Sequence, residues 1–477
     1  MNHLDDAIRR PLLADAVFSR LMDGLTGGAF LAGLAVLIGA DNWRLAILAS
    51  LPFLAQVVQL PAVALLLRIK DRRKVVVWTA GAARVLLLLV AALLVLPGVT
   101  LNINKLLLIL GVASVLTVFA TAAWNWWMRD LLPCDELGSF FGQRLRGATL
   151  ATLVVMLAAG TALDFFESGG NPQIGYAILF GLGGFAGLAG VAALARTPNV
   201  VAPPSAPAGQ SLHQVWTAVR NAPQGLLGAL SLTAVTISFA LPFTAVYLLR
   251  SLGYSYLAVT VLAIVSQIAY LAGLRGWAHI SDRHGDRSLL SVSLSILALS
   301  FVGWALTGWG AGWTMLIVLT ALHFLSGYAM GGIELASTNL LLRSAPASAG
   351  AAHLAGVSIV RAAAGGLGVL VAGAAWQAMG RGVLFSTELP LIGAWELRGF
   401  QVLCLASVGI ALACAAAVSR MAAPEGQRTM DVARALRKEV HQMSSIAGVR
   451  GLIHAVSYYV EFMAAPFAAR RRRGGSQ

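Results

Sequence analysis

The chain has 477 residues, of which 58% are hydrophobic and only 11% are charged, and its mean hydropathy is +0.78. Soluble domains carry roughly 25% charged residues, so a chain of this composition cannot cover a water-facing surface, and a soluble fold is excluded. The formal net charge of +14 would suggest nucleic-acid binding in a soluble protein. In a membrane protein it is better explained by lysines and arginines in cytoplasmic loops, and we expect no nucleic-acid partner.

Residues 1–14 carry Asp5, Asp6, Arg9 and Arg10 and lack the short apolar core and small-residue cleavage site of a signal peptide. We therefore expect the first membrane helix to be retained. Apolar segments of the length that crosses a bilayer, about 20 residues, then follow one another along the chain. Twelve such spans are predicted, at roughly 15–38, 45–67, 75–96, 104–127, 141–164, 174–195, 226–249, 256–279, 288–309, 313–340, 353–378 and 397–419.

A polar stretch separates the sixth and seventh spans. It runs from Arg196 to Gln224, contains several prolines, and ends in a short helical candidate, Ser211–Asn221. It reads as a linker between two halves. The predicted organisation is a six-helix N-terminal bundle at 1–195, a cytoplasmic linker at 196–225, a six-helix C-terminal bundle at 226–420 and a tail at 421–477.

Lysine and arginine are concentrated in the loops on one side of the predicted array. Because cytoplasmic loops are enriched in these residues, both termini are expected to be cytoplasmic. The basic residues on the predicted inner side are Arg68, Lys70, Arg72, Arg73, Lys74, Arg129, Arg144, Arg146, Arg196, Arg220, Arg283, Arg287 and Arg343. Those on the predicted outer side are Arg44, Lys105, Arg250, Arg381 and Arg398.

A short charged turn joins the eighth and ninth spans, within residues 276–287. Since lipid does not tolerate bare backbone, this turn must lie at the water boundary. Gly285 lets the chain reverse tightly, and the Asp282 carboxylate can face a helix N-terminus, where unpaired N–H groups favour negative charge. A second charged turn, at 68–74, follows the second span, which is the pattern of an internal repeat.

Asp282, Arg283, Gly285 and Arg287 reproduce the D-R-x-G-x-R core of a signature that lies between the second and third helices of each half in the major facilitator superfamily. With six plus six spans, a cytoplasmic linker and cytoplasmic termini, residues 15–420 resemble that superfamily. The resemblance implies an all-α integral membrane fold of twelve transmembrane helices in two pseudo-symmetric six-helix bundles. It also implies transport by alternating access.

The first half carries a degenerate copy of the signature. Residues 67–74 keep its basic end, but Arg68 stands where the aspartate is expected and Asp71 where the glycine is expected. The resemblance further places the end of the eighth helix near the start of the fifth, which carries Arg144 and Arg146. Asp282 is therefore predicted to act as a gate that holds the inner side closed.

Charged residues inside a span are costly, so each one is a functional hypothesis. The resemblance implies that the first, fourth, seventh and tenth helices line a central cavity, and Glu334 lies in the tenth. A cavity-facing carboxylate can bind and release a proton, which makes Glu334 the first candidate for coupling. Arg361 lies at similar depth on the eleventh span, so a structural ion pair with Glu334 is the alternative. His323 is a candidate for substrate contact, proton relay or a helix–helix hydrogen bond.

Arg20 and Asp23 lie on one face of the first span. They are candidates for coupling or substrate contact, and a local ion pair that supports the inner gate is the alternative. Arg84 in the third span is interpreted as a structural partner. Polar side chains that could decorate the cavity are Gln56, Gln59, Gln267 and Tyr270.

Residues 421–477, the tail, differ from the preceding spans because they are richer in charged residues. Val432, Leu436 and Val440 recur at four-residue spacing, which predicts a helix with one apolar stripe. An interfacial helix on the inner leaflet, with the terminal arginines attracted to anionic lipid, is one interpretation. A docking site for a cytoplasmic protein partner is the other.

The sequence favours a secondary transporter of a small molecule in a bacterial inner membrane, with proton coupling and uniport both open. It contains no G-x-x-x-x-G-K-[ST] loop, which argues against ATP-driven transport, and it gives no reason to expect a cofactor or a metal site. A lipid or amphiphile transporter of the same fold is an alternative. A non-transporting scaffold or sensor that acts through the tail is another, and an enzyme is the weakest.

Overall fold

The structure is a computed structural model that describes residues 6–59, 61–62, 69, 71–131, 137–198, 212–307, 313–346, 350–380, 382–389 and 393–421. The described chain is almost entirely helical. The helices before the linker are α1 (Asp6–Thr26), α2 (Gly28–Leu37), α3 (Asn42–Ala55), α4 (Arg72–Val95), α5 (Ile103–Leu131), α6 (Leu137–Ser168) and α7 (Pro172–Arg196).

A short helix of the linker, α8 (Leu212–Asn221), leads into the second half. There the helices are α9 (Gln224–Ala240), α10 (Tyr256–His284), α11 (Asp286–Ala305), α12 (Trp313–Arg343), α13 (Gly350–Met379) and α14 (Gly399–Arg420). Two antiparallel strands, β1 (Phe385–Leu389) and β2 (Gly393–Leu397), form a hairpin between α13 and α14. The sequence analysis did not predict this hairpin.

Eleven helical segments among the described residues are long and apolar enough to cross a membrane. The second predicted span is described as a shorter apolar helix, Asn42–Val58, so the count of twelve stays a prediction, as do the sides of the termini. The predicted tail helix lies outside the described residues. These spans confirm an integral, multi-pass, all-α membrane fold.

The first span begins at Asp6 rather than near residue 15. Pro11 lies inside this longer helix. Because the helix starts earlier, Arg20 and Asp23 lie in its second half rather than near the predicted inner surface.

The main contacts between the two halves join α3 and the following 3₁₀ turn Gln56–Val58 to α13, α6 to α10, and α2 to both α10 and the turn Thr244–Val246. We call the end of the bundle with the α2–α3 turn the outer end and the end with Gly285 the inner end, after the predicted orientation. Hydrogen bonds join the halves at the outer end, between Asn42 and residues of α13 or Arg250, and between Asp164 and α10.

Close helix approach depends on glycine at a few positions. A Cβ atom at Gly327 of α12 would overlap the carbonyl oxygen of Ser266 on α10. Gly228 of α9, in contrast, is exposed and would place a Cβ atom in open space. The first position therefore requires glycine for packing and the second does not.

Gly327→Ala is expected to lower the free energy of unfolding in detergent by about 1–3 kcal/mol, because the added methyl group forces α10 and α12 apart. Gly228→Ala is the matched control and should be neutral or slightly stabilising, since alanine is favoured over glycine in a helix. Thermal unfolding of the purified protein measures both. Equal melting temperatures for the two variants would contradict the packing argument.

Candidate functional site

The first membrane span is broken at two glycines. Gly27 is extended, with φ −113° and ψ −169°, and Gly28 has φ +53°, a left-handed conformation that favours glycine. The amide of Gly27 donates to the carbonyl of Asp23 at 3.0 Å. The amides of the next three residues, 28–30, make no hydrogen bond to the described backbone, so the break leaves polar backbone unpaired inside the span.

The seventh span is interrupted as well. After α9 ends at Ala240, Leu241–Phe243 form a 3₁₀ turn, Thr244–Val246 return to α-helix, and Tyr247–Ser251 form a π turn. Pro242 lies in the 3₁₀ turn, where the missing N–H of proline prevents a regular helix. The first and seventh spans hold equivalent positions in the two halves, and paired interruptions of this kind mark the binding site in many transporters.

A cavity of about 440 Å³ lies between the two breaks. This volume falls within the range of roughly 300–1,000 Å³ that small-molecule sites occupy. Its wall includes Gly28 of the first break and residues 241–246 of the second, with further side chains from α3 and α10. Most of the lining is apolar, and Ser266, Gln267 and His323 supply polar side chains.

His323 lies in this cavity wall but is 9% exposed. Its Nδ1 is 2.9 Å from the carbonyl oxygen of Leu319, so Nδ1 carries the proton and Nε2 is an acceptor in the neutral ring. The ring packs edge-on against Trp304, with centroids 5.2 Å apart. The link to the neighbouring helix runs through the backbone, because the Ser266 hydroxyl donates to the carbonyl of His323 at 2.9 Å.

A second cavity of about 290 Å³ lies against the first within the N-terminal half. Asp23, Thr26, Gln56 and Arg84 contribute its polar lining, while Leu48 is among the residues shared with the first cavity. Gln267 lines the first cavity, and Gln59 lines neither. The two cavities are therefore neighbours, with Asp23 in the wall of the second and Gly28 in the wall of the first.

Asp23 faces the second cavity and is close enough to Arg20, Arg84 and Asp15 to interact with their charges. Asp15 is buried and accepts a hydrogen bond from Ser19 at 3.1 Å. Arg84 in turn donates to the Ser19 hydroxyl at 3.3 Å. The sequence analysis missed Asp15 because it was placed at the boundary of the first span, where a carboxylate would be solvated.

Glu334 accepts a hydrogen bond from the Tyr270 hydroxyl at 2.8 Å and is exposed to the space between the halves. Arg361 is near enough to interact with its charge, although among the described residues no ion pair within 4.0 Å joins the two. The charge of Arg20, in the N-terminal half, is near enough to interact with the Tyr270 hydroxyl. Arg20 of the N-terminal half thus lies near the Tyr270–Glu334 pair of the C-terminal half, whereas Asp23 lines the second cavity and His323 lies in the cavity at the breaks.

The residues of the turn at the inner end, 282–287, differ in exposure and in their hydrogen-bond partners. Gly285 has φ +81° and caps α10. Asp282 and Arg283 are exposed, and Asp282 makes no hydrogen bond or ion pair with any described residue. Arg287 donates to the carbonyl of Met421 at 3.5 Å. Arg144 and Arg146 lie on α6, but their side chains are outside the described part of the chain.

The buried acid of this turn is Asp286, which the sequence analysis did not select. Its side chain is 2% exposed and pairs with Arg343 at 3.3 Å. Asn339 donates to it at 2.9 Å, and the Ser281 hydroxyl donates to the same oxygen. These partners fasten the start of α11 to the ends of α10 and α12. Acidic and basic residues alternate along 282–287, so the sequence does not show whether Asp282 or Asp286 is the buried acid.

Comparisons with known proteins agree with this architecture. A family model described as "Major Facilitator Superfamily" matches residues 16–373. The chain belongs to the Major Facilitator Superfamily. No curated protein sequence matches the chain. Membership identifies a membrane transport protein rather than an enzyme, and it confirms the resemblance inferred from the turn at Asp282.

Solved structures share the fold at low sequence identity. The nucleoside transporter NupG is 14% identical, with a TM-score of 0.67, over 86% of this chain and 98% of that one. A bacterial homolog of the human lysosomal transporter Spinster, in an inward-facing conformation, is 15% identical, with a TM-score of 0.63, over 87% and 96%. A D-xylose-proton symporter is 12% identical, with a TM-score of 0.61, over 88% and 98%.

Asp286→Asn is expected to lower the free energy of unfolding by about 2 kcal/mol, because it removes charge-assisted hydrogen bonds from a buried site. Asp282→Asn should change it by less than about 0.5 kcal/mol, since the native side chain is exposed and unpaired. Chemical or thermal denaturation in detergent compares the two. A larger loss for Asp282→Asn would show that the assignment of the buried acid is wrong.

Proposed function

We propose that the chain is a secondary transporter that moves a small molecule by alternating access, with the substrate bound at the two helix breaks. The observation that carries this proposal is the pair of interruptions, at residues 27–28 and 241–251, that enclose one cavity. Irregular backbone is tolerated at membrane depth only where it lines a cavity or is buried in protein. The unpaired amides at the first break offer donors to a polar group of the substrate.

The hydrogen bonds between the two halves also support alternating access. The hydrogen bonds described between the halves at Asn42 and Asp164 lie at the outer end, and Asp282 at the inner end is exposed. We take this as the state in which the outer end is closed. In the opposite state, Asp282 would engage the start of α6 near Arg144 and Arg146, which makes these residues the inner gate of the proposal, together with the turn residues Arg283, Gly285 and Arg287.

Substrate binding can be tested before the substrate is known. A ligand at 100 times its Kd stabilises the folded state by about 2.7 kcal/mol, so thermal stabilisation across metabolite, drug and lipid panels should reveal a binder. Ala263 lines the cavity and Ala82 faces outward from α4. Ala263→Trp should abolish stabilisation by filling the cavity, while Ala82→Trp should keep it.

Stabilisation that survives in Ala263→Trp would place the binding site elsewhere. The nucleoside and D-xylose transporters of the same fold make nucleosides and pentoses the first compounds to screen. The largely apolar cavity wall favours a second candidate function, transport or flipping of a lipid or amphiphile. Stabilisation by the lipid panel alone would decide for that function.

Proton coupling is proposed for Glu334, with Asp23 as the second candidate. Glu334 faces open space, accepts a hydrogen bond from Tyr270 and interacts with Arg361. Protonation would remove its charge and weaken both contacts. A coupled cycle needs that change, because proton and substrate must bias the same equilibrium between the two states.

Glu334→Gln is expected to slow pH-gradient-driven uptake by at least about tenfold while substrate exchange continues, because the amide cannot release a proton. Uptake into proteoliposomes of the compound found by stabilisation measures both modes. Glu388→Gln, at an exposed acid of the β-hairpin, is the matched control and should behave as the parent. Parent-like gradient uptake in Glu334→Gln would rule out this residue as the coupling site.

The tail and its partners belong to the same proposal. The inner leaflet's anionic lipids or a cytoplasmic protein would bind residues 421–477. If the chain were a scaffold or sensor that acts through the tail, removing residues 422–477 would abolish function. A transporter would retain flux after the same truncation.

A further inference from the structure

We propose that Asp164 is the outer gate residue, which holds the halves together by capping a helix of the opposite half. Its Oδ1 accepts a hydrogen bond from the amide of Tyr256 at 2.7 Å, and its Oδ2 accepts one from the amide of Leu257 at 3.0 Å. Asp164 belongs to α6 in the N-terminal half, whereas these amides begin α10 in the C-terminal half. The inference rests on the proposed alternating access.

The Asp164 carboxylate supplies acceptors that the N-terminus of α10 lacks. The first amides of a helix have no partner within it. In α10 the third amide, of Ala258, is bonded by the Ser255 hydroxyl at 3.2 Å, and the first two are bonded by Asp164. The helix therefore supplies only part of its own cap. Asp164 of the other half caps the first two amides, and these hydrogen bonds must break when the outer end opens.

The surrounding packing fixes this contact in the closed interface. Gly160 lies one turn before Asp164 on the same face of α6, and a Cβ atom there would come within 3.1 Å of the Cα atom of Leu257. Tyr256 also packs edge-on against Tyr176 of α7, with ring centroids 5.9 Å apart. The backbones of α6 and α10 are thus held close where the carboxylate binds.

Charge adds to the hydrogen bonds. The N-terminus of a helix carries a partial positive charge, so a carboxylate placed there is stabilised. At Asn42, the backbone amide donates to the side-chain oxygen of Gln377, the side-chain amide donates to the carbonyl of Trp376, and the side-chain oxygen accepts a hydrogen bond from Arg250. Asp164 instead offers a carboxylate, and it binds backbone amides whose positions are fixed by the helix.

Thiol labelling can measure outer opening even when the open state is rare, because the labelling rate scales with its population. Ala46 of α3 is fully buried at the outer end, packs against Gly373 of the other half and lines neither cavity, so Ala46→Cys reports separation at the outer end. The native Cys404 is fully buried within the C-terminal half and reports global unfolding in the same sample. Cys134→Ser removes a further native thiol, and mass spectrometry separates the label at Ala46→Cys from that at Cys404 and at buried Cys414 in detergent-solubilised protein.

Asp164→Ala should raise the labelling rate at Ala46→Cys about tenfold, since it removes both hydrogen bonds to a charged acceptor. Asp164→Asn keeps one acceptor oxygen and should raise it about threefold, roughly half the effect on a logarithmic scale. Glu167→Gln changes an exposed acid one turn away and should leave the rate unchanged. Cys404 should remain unlabelled in every variant.

Rates for Asp164→Ala within twofold of the parent would overturn the proposal. If the alanine variant does not fold, the asparagine variant decides, and an unchanged rate there would overturn it as well. A rise in Ala46→Cys labelling matched by Cys404 labelling would do the same, because the effect would then be general destabilisation. Failure of the proposed function would appear separately, as the absence of any ligand whose stabilisation is lost in Ala263→Trp.

Discussion

Backbone N–H and C=O groups have no water to bond inside a bilayer, and this constraint decides where the chain can depart from a helix. The structure departs from regular helix at membrane depth in the first and seventh spans, at Gly27–Gly28 and Leu241–Ser251. Both departures line the same cavity, where polar backbone can be hydrated or bound. The cavity and the breaks therefore depend on each other: without the cavity the unpaired amides would be too costly, and without the breaks the cavity would offer few donors.

Charge within the spans obeys a related constraint. Asp15, Asp23, Arg20 and Arg84 balance one another in the N-terminal half, and Glu334 with Arg361 does so in the C-terminal half. Among the described residues, no ion pair within 4.0 Å joins Asp23 to Arg20 or Arg84, or Glu334 to Arg361. Charges that are balanced but not locked can exchange partners at small energetic cost, which suits groups that must respond to a proton or a substrate.

The sequence was sufficient for the family, because the turn at Asp282 and the spacing of apolar segments depend on local chemistry and length. It also selected Glu334 and Asp23 as candidates, since charge in a span is rare, and the structure places Glu334 beside Tyr270 and Asp23 in the wall of the second cavity. It could not find the break in the first span, because glycine permits a break without requiring one and Gly27 and Gly28 equally suit helix packing. It missed Asp15, Asp164 and Asp286 because each lies near a predicted helix end, where sequence cannot distinguish a solvated acid from one bound by another helix.

The two proposed gates involve the same pair of helices. Asp164 of α6 binds the N-terminus of α10 at the outer end, and Asp282 near the end of α10 is expected to meet Arg144 and Arg146 of α6 at the inner end. These anchor points are separated by roughly 27 Å along α6 and roughly 39 Å along α10, at about 1.5 Å per residue. Two rigid helices that pivot against each other cannot close both ends at once when the halves rock. Asp282 is exposed while Asp164 is hydrogen-bonded to α10. The movement that forms the contact of one acid therefore breaks the contact of the other.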